Sequence, residues 1–286
     1  MSPDDDIWKL PAKGDRVKGK VAIVTGAGSS AEGIGNGKAM ALILALHGAK
    51  VALVDWNPDA AEETAKMVRE NGGEALVIGA DVSKEEDCKR IVDETVAKFG
   101  RLDILINNVG TSRIRGDATV LDLDAWDRGM TLNIKSMVMM VKYAVPEMKK
   151  SGGGSIINTG SITSLHGGHP NLFYPTSKAA VLHLSKTMAG QHGKDNIRVN
   201  CIMPGFVYTP VVYGPGLPEG VREKRRDAGV IEIGGVKTEG TGWDVAWGAL
   251  YLASDESRWV TAQGLAIDAG ASTISPHFQS SAKRLT

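Results

Sequence analysis

Tyr174 and Lys178 stand four residues apart in Phe173-Tyr174-Pro175-Thr176-Ser177-Lys178-Ala179-Ala180, and Ser161 precedes the tyrosine by thirteen residues, at the end of an apolar run. Four residues is about one helical turn, so on a helix the phenol and the ammonium share a face. An ammonium near a phenol favours the phenolate and lowers a pKa that is ordinarily about 10. A tyrosine tuned in this way moves protons near neutral pH. A serine hydroxyl beside it can bind an oxygen that gains or loses charge. Together the three residue types suggest proton transfer to and from a hydroxyl or carbonyl oxygen. Tyrosine and lysine meet at this spacing on many helices, so the meaning of the pair depends on what the chain builds around it.

The elements that must position these groups begin at Lys20. Short apolar runs predict seven strands: 21–24, 50–54, 75–78, 102–106, 155–157, 197–202 and 265–267. Runs of this kind suit strands buried on both faces. Helical periodicity fills the gaps. Asn57-Pro58-Asp59 predicts a capped helix to about Glu70, stopped by Asn71-Gly72-Gly73, and Ser83 is expected to cap another that runs to Phe99-Gly100. Regular alternation predicts an α/β fold: a single Rossmann-type doubly wound domain, a parallel seven-stranded sheet with helices on both faces. Residues 1–19 are polar and broken by Pro3, Pro11 and Gly14, and are expected to form a loosely ordered arm before a domain over 20–271 and a tail over 272–286.

Composition narrows the function classes. The formal net charge is zero over 286 residues, which points away from nucleic acid and from acidic membrane surfaces. The longest apolar runs, such as Met40 to Leu46 and Met137 to Val141, are too short to span a bilayer. The acidic start lacks the regions of a signal peptide. Cys88 and Cys201 are the two cysteines and fall in no metal-ligand pattern. The expectation is a cytoplasmic protein with no metal and no disulfide.

The first predicted strand is followed by Thr25-Gly26-Ala27-Gly28-Ser29-Ser30-Ala31-Glu32-Gly33-Ile34-Gly35, which opens a helix. Such a turn brings backbone N–H groups to a pyrophosphate at the positive end of a helix. The second strand ends in Asp55, twenty positions after Gly35. A carboxylate there accepts from both adenosine ribose hydroxyls and repels a 2′-phosphate. Trp56 follows where a phosphate site would want Arg or Lys, so the expected cofactor is NAD rather than NADP.

With these motifs in order, residues 19–271 resemble a classical short-chain dehydrogenase/reductase. Gly26, Ser30, Gly33, Ile34 and Gly35 lie in what resembles its cofactor turn, although six residues here separate Thr25-Gly26 from Gly33-Ile34-Gly35 where the family usually has three. Some enoyl reductases of the wider superfamily share a longer turn, but space their tyrosine and lysine more widely. Asp81-Val82 resembles the family's adenine-holding pair. Asn107-Asn108-Val109-Gly110 resembles the motif after the fourth strand, with Val109 where Ala is usual. Asn133, Ser161, Tyr174 and Lys178 match the catalytic tetrad, and Gly160 replaces a common serine just before it. Pro204-Gly205-Phe206-Val207-Tyr208-Thr209 matches the segment at the nicotinamide end, with Pro204, Gly205, Val207 and Thr209 as its expected contacts.

The resemblance implies hydride transfer between NAD and a small-molecule secondary alcohol, possible substrates including cyclic alcohols and ring diols. Tyr174 would serve as base or acid, with Ser161 on the substrate oxygen. Lys178 would lower the tyrosine pKa and bond the nicotinamide ribose. Asn133 would hold a water that links Lys178 to solvent. Two stretches are expected to wall the substrate: 162–173, with Ile162, His166 and Phe173 as contacts and His169 nearby, and a mobile lid over 210–240 around a short helix, Glu219 to Asp227. Arg222, Glu223, Lys224, Arg225 and Arg226 are read as a solvated helix face. Met137, Met139 and Met140 are read as core or subunit face. Family members assemble as tetramers or dimers, here through helices over 121–150 and 172–191. Two other functions fit the residues: an NADP-preferring carbonyl reductase, and an NAD-sensing module without turnover.

Overall fold

The computed structural model describes residues 9–214, 216, 218–233 and 235–274. Along the chain lie β1 (Val21–Thr25), α1 (Asn36–Leu46), β2 (Lys50–Asp55), α2 (Pro58–Glu70), β3 (Ala75–Gly79), α3 (Glu85–Phe99) and β4 (Ile104–Asn107). They are followed by α4 (Leu123–Met130), α5 (Ser136–Lys150), β5 (Gly154–Thr159), α6 (Phe173–His192) and β6 (Ile197–Pro204). The last third holds α7 (Pro210–Tyr213), α8 (Val221–Asp227), β7 (Glu232–Ile233), β8 (Val236–Lys237), α9 (Gly242–Ala253) and β9 (Gly264–Ile267).

The seven expected strands form one parallel sheet in the order β3-β2-β1-β4-β5-β6-β9. Strands β1, β4 and most of β2 are buried throughout, which is why they read as unbroken apolar runs. One face of the sheet packs against α1, α2 and α9, with Leu42, Leu44, Val68 and Leu250 in that core. The other packs against α3, α5 and α6, where Ile91, Met139, Met140 and Met188 are buried. Met137 is buried in a third cluster beneath α6. The winding of the strands across the sheet reverses between β1 and β4, and in open sheets of this kind ligands bind there, outside the carboxyl ends of the strands. No helix among the described residues is long and apolar enough to cross a membrane.

Asn57 caps α2 by accepting from the Asp59 N–H at 3.2 Å. Ser83 does not cap α3. Its hydroxyl donates to Asp81 Oδ1 at 2.7 Å, so the helix begins one residue later, behind Lys84, without a side-chain cap. Glu85, Glu86 and Asp87 crowd the first turn of α3 and favour the positive end of its dipole.

Residues 1–8 of the expected arm lie outside the described residues; residues 9–19 are more firmly held than the sequence suggests. Gly14 N–H donates to Leu46 O at 3.1 Å, Val17 N–H to His47 O at 3.2 Å, and Val17 is fully buried. Arg16 pairs with Glu256 through Nε and Oε1 at 2.7 Å. Gly14 lies so close to His47 that a Cβ there would stand 2.5 Å from the imidazole.

His47 is buried edge-on to Trp247, at 5.6 Å between ring centroids, and neither ring nitrogen has a hydrogen-bond partner. Burial pushes its pKa down, and nearby Arg16 pushes it further. The unfolded chain therefore takes up a proton on this ring at a higher pH than the folded protein does. The stability that the neutral ring contributes is intact above the ordinary histidine pKa, about 6.5, and is lost as pH falls below it. Tm should decline between about pH 7 and pH 5. His47→Phe keeps an aromatic edge on Trp247 without a titrating group and should flatten that decline. An unchanged slope in scanning calorimetry would exonerate His47.

Candidate active site

The glycine-rich turn sits at the switch point. Thr25 Oγ donates to Ile106 O at 3.3 Å and accepts from Asn108 N–H at 3.0 Å, so the end of β1 is tied to the end of β4. Asn108 Nδ2 donates to Gly26 O at 3.2 Å. Gly26 itself adopts φ 65°, which a side chain would resist. The three extra residues are closed by Ser29, whose hydroxyl donates to Gly33 O at 3.1 Å and accepts from Gly35 N–H at 3.3 Å. Ser30, the expected contact, points into solvent, and Ile34 packs in the core. A second glycine went unread: a Cβ on Gly37 would fall 1.9 Å from Gly26 O, so α1 can approach the turn only with no side chain there. Helix α1 starts at Asn36 behind Gly35, an N-cap with no side chain to bond its first N–H groups.

Asp55 ends β2 and leans back on this turn. Its Oδ2 accepts from Gly28 N–H and its Oδ1 from Asn57 N–H, each at 3.0 Å. A carboxylate has about four acceptor positions, so lone pairs remain for two hydroxyls. Trp56 beside it is 83% exposed. Asp81 follows β3 and shares its Oδ1 with Ser83, while Val82 is buried in the core. On the other side of the switch point, Gly110 lies under Asn133 and Lys178: a Cβ there would be 3.2 Å from Asn133 Oδ1 and 3.4 Å from Lys178 Nζ. A side-chain-free cradle, an uncapped helix start and a carboxylate with spare acceptor positions fit a diphosphate and a ribose diol.

The four expected catalytic residues converge on one end of the sheet. Asn133 lies in a π-helical turn, Thr131–Lys135, between α4 and α5, and is fully buried. Turns of this type often mark functional positions in helices. Its amide donates to Thr111 O and to Ser177 Oγ, both at 3.0 Å, and its Oδ1 accepts from Thr111 N–H at 2.8 Å. The side chain thus braces α6 against the loop after β4. With both amide protons used, a water linking Lys178 to solvent would have to be held by an Asn133 oxygen. Ser161 follows β5, and its Oγ accepts from Thr163 N–H at 3.2 Å.

Tyr174 and Lys178 share one face of α6, as their spacing predicts. The electrostatics differ from expectation. Burial pushes the Tyr174 phenol above its ordinary pKa, and the opposing pull comes from a hydrogen bond with Ser161 rather than from Lys178. The lysine is itself buried, which brings its pKa down to about 8. Its Nζ donates to Thr159 O at 2.7 Å and lies 5.8 Å from the tyrosine ring centroid. Desolvation of both groups outweighs their mutual attraction here.

The expected substrate wall is partly misplaced. Phe173 is fully buried, edge-on to Trp126 at 5.7 Å, and belongs to the core. Ile162 packs with Met137, Val181, Cys201 and Met203. His166 is exposed at the end of a short 3-10 turn. His169 comes nearer the tyrosine, at 6.1 Å between rings, and its Nδ1 accepts from Asn171 N–H at 3.1 Å. Gly160 also has a reason: a Cβ there would meet Cys201 Sγ at 2.5 Å, so the thiol takes the room a serine would need.

In the segment expected at the nicotinamide end, Pro204 closes β6, and Gly205 abuts Asp268, whose Cβ would be 2.5 Å from a Cβ at 205. Val207 and Thr209 are buried. Beyond them α8, in the stretch expected to form a lid, starts at Val221, later than expected, and a small antiparallel hairpin, β7–β8, follows it. Arg222 and Arg225 do not form a solvated face; both turn inward onto the buried Glu239. Tyr213 reaches the long phosphate turn and donates from its hydroxyl to Glu32 O at 3.0 Å. Pro215 and Gly234 of the lid, and the tail from residue 275, lie outside the described residues. Among those described, no group of three or more histidine, cysteine or acidic side chains could hold a metal ion.

Comparison with known proteins agrees with this arrangement. A family model described as enoyl-(acyl carrier protein) reductase matches residues 28–272. A (+)-borneol dehydrogenase of Salvia officinalis is 37% identical over 265 residues, covering 89% of this chain and 90% of its own. An oxidoreductase of Thermotoga maritima is 36% identical over 262 residues, or 90% and 99% of the two chains. Among solved structures, a 7α-hydroxysteroid dehydrogenase complexed with NADH and 7-oxo glycochenodeoxycholic acid superposes with a TM-score of 0.82 at 31% identity, covering 94% of this chain and 98% of that one. The chain belongs to the short-chain dehydrogenase/reductase family and is an oxidoreductase of that type.

Proposed function

We propose that the protein oxidises a secondary alcohol, or reduces the matching ketone, with NAD as its cofactor. The observation that carries this reading is the convergence of Ser161, Tyr174 and the buried Lys178, whose Nζ lies 5.8 Å from the centre of the tyrosine ring, at the end of the sheet where Asp55 also closes β2. NAD supplies the hydride acceptor when bound. Gly26, Gly33, Gly35 and the start of α1 would hold its diphosphate, Asp55 its adenosine ribose, and Lys178 its nicotinamide ribose. Asp81, Val82, Trp56, Asn108, Val109 and Gly110 border the same crevice, and Pro204 to Thr209 its far end.

The alcohol oxygen lies between Ser161 and Tyr174 in this reading. Ser161 donates to that oxygen as it becomes a carbonyl, and Tyr174 accepts the hydroxyl proton. Lys178, with a pKa of about 8, passes the proton on towards solvent through water held by Asn133. The reverse direction uses Tyr174 as the acid. The alcohols named for the relatives, borneol and a hydroxysteroid, favour a bulky cyclic substrate.

The test is absorbance at the reduced-nicotinamide band, with NAD or NADP supplied in turn against cyclic and linear secondary alcohols, ring diols included. NAD reduction with a cyclic alcohol is the expected result. Reduction of NADP alone would overturn the cofactor assignment, and NAD binding without turnover of any alcohol would favour a sensor.

A further inference from the structure

The lid carries a buried charge cluster that no step of the proposed chemistry uses. The Glu239 side chain is 2% exposed, and two guanidinium groups of α8 close on it. Arg222 Nε lies 3.3 Å from Glu239 Oε2, and Arg225 Nε bonds Oε1. Both arginines also hold the Phe206–Tyr208 strand. Arg225 Nη2 donates to Val207 O at 3.1 Å, and the Arg222 guanidinium lies 3.9 Å from the centre of the Tyr208 ring. Arg225 stands 5.3 Å from the Phe206 ring.

The backbone joins the same two segments. Gly240 N–H donates to Phe206 O at 3.1 Å, and Tyr208 N–H donates to Gly240 O at 2.7 Å, around a bridge between Val207 and Gly240. Glu239 is therefore the point where three pieces meet: the segment leading from β6 to the nicotinamide end, the strand entering α9, and the lid helix. Two cations share one buried anion. Removing the anion's charge would weaken the acceptor that Arg222 Nε and Arg225 Nε share, and α8 could answer by swinging away, which returns both guanidinium groups to water and keeps the cost local to the lid.

We propose that Glu239 is a positioning residue for the reaction. Clasped by Arg222 and Arg225, it locks α8 to Phe206–Tyr208, so that the lid over the substrate and the Val207–Thr209 segment at the cofactor move as one body. The link to cofactor binding rests on the reading of Val207–Thr209 given under the proposed function; the latch itself does not. A pair serving fold stability alone would act on the whole protein, whereas a latch acts on the lid and on what the lid covers.

The experiment uses the full chain with Glu239→Gln, which keeps the side chain's size and removes its charge, and with Arg225→Lys, which keeps a charge and loses the fork. Three quantities are read: the rate of trypsin cleavage after residues 222–226, the Kd of NADH, and Tm. In Glu239→Gln, lid cleavage should rise about tenfold. NADH should bind about fivefold or more weakly, with Tm close to that of the parent. Arg225→Lys should fall between the parent and Glu239→Gln on both counts. Cleavage and affinity that match the parent, or changes in both variants that merely follow a fall in Tm, would overturn the proposal. A parent protein that binds no NADH would sink the cofactor reading alone, and the trypsin rates would then still decide whether the latch exists.

Discussion

Tyr174→Phe should lower kcat by roughly 10²–10⁴-fold while leaving the Kd for NAD near that of the parent. The substitution removes one oxygen and little else. The ring keeps its place on α6, and the Ser177 hydroxyl still donates to the backbone carbonyl of residue 174, because that bond of 2.9 Å involves no side-chain atom of the tyrosine. Ser161 keeps its bond to Thr163 N–H. The site then retains an oxygen-binding hydroxyl and a buried ammonium but has no group in place to take the alcohol proton. Lys178 is not an easy substitute, since its Nζ is held on Thr159 O behind the ring. Stopped-flow turnover and calorimetric NAD binding check the two halves separately. Turnover within about tenfold of the parent would remove Tyr174 from the role of base.

The electrostatics around Tyr174 add a direction to this prediction. Burial raises the phenol and lowers the lysine, so each group resists its charged form. Oxidation needs a proton acceptor at the phenol, and its rate should climb on the alkaline side, through the region near 8 where Lys178 titrates.

How much of this could be read beforehand depended on the range of the interactions. The strands of the sheet were legible because burial on both faces leaves an apolar run that needs no partner to be recognised. The meeting of Asn133, Ser161, Tyr174 and Lys178 at one end of the sheet was legible because their spacing is local in part and the motifs come in a fixed order. What failed was long-range or angular. Phe173 adjoins Tyr174, but neighbours on a helix point about 100° apart, so one faces the crevice and the other the core. Gly37 looks like a tolerated glycine in a helix; only the approach of Gly26 O makes it obligatory. Ser83 has the right type for a cap and is diverted by Asp81, two residues away. The run Arg222 to Arg226 looks solvated by composition, and its partner Glu239 stands seventeen residues beyond Arg222 in sequence. Ser29 closes a turn longer than the family's usual one, so the resemblance offered no position to compare it with.

Replacing Asp55 by Ser together with Trp56 by Arg should raise the ratio of kcat/KM for NADP to that for NAD by roughly 10²–10³-fold, because like charges held close cost several kcal/mol. The ratio matters more than either value alone. Asp55 has two roles in the proposed reading: its carboxylate would accept from ribose hydroxyls, and its oxygens hold Gly28 N–H and Asn57 N–H at 3.0 Å. Loss of the second role would loosen the phosphate turn and weaken both cofactors equally, leaving the ratio where it was. Loss of the first removes repulsion from a 2′-phosphate and removes attraction for a ribose diol, which moves the two cofactors in opposite directions. Trp56 is 83% exposed, so an arginine there can reach a phosphate without disturbing the core. Trp56→Arg alone should shift the ratio far less, since the new guanidinium would find the Asp55 carboxylate beside it. If the double variant weakens NAD and NADP by the same factor, Asp55 serves the turn and not the choice of cofactor. That choice must then be sought in the longer turn itself, whose Ser30 and Glu32 are exposed.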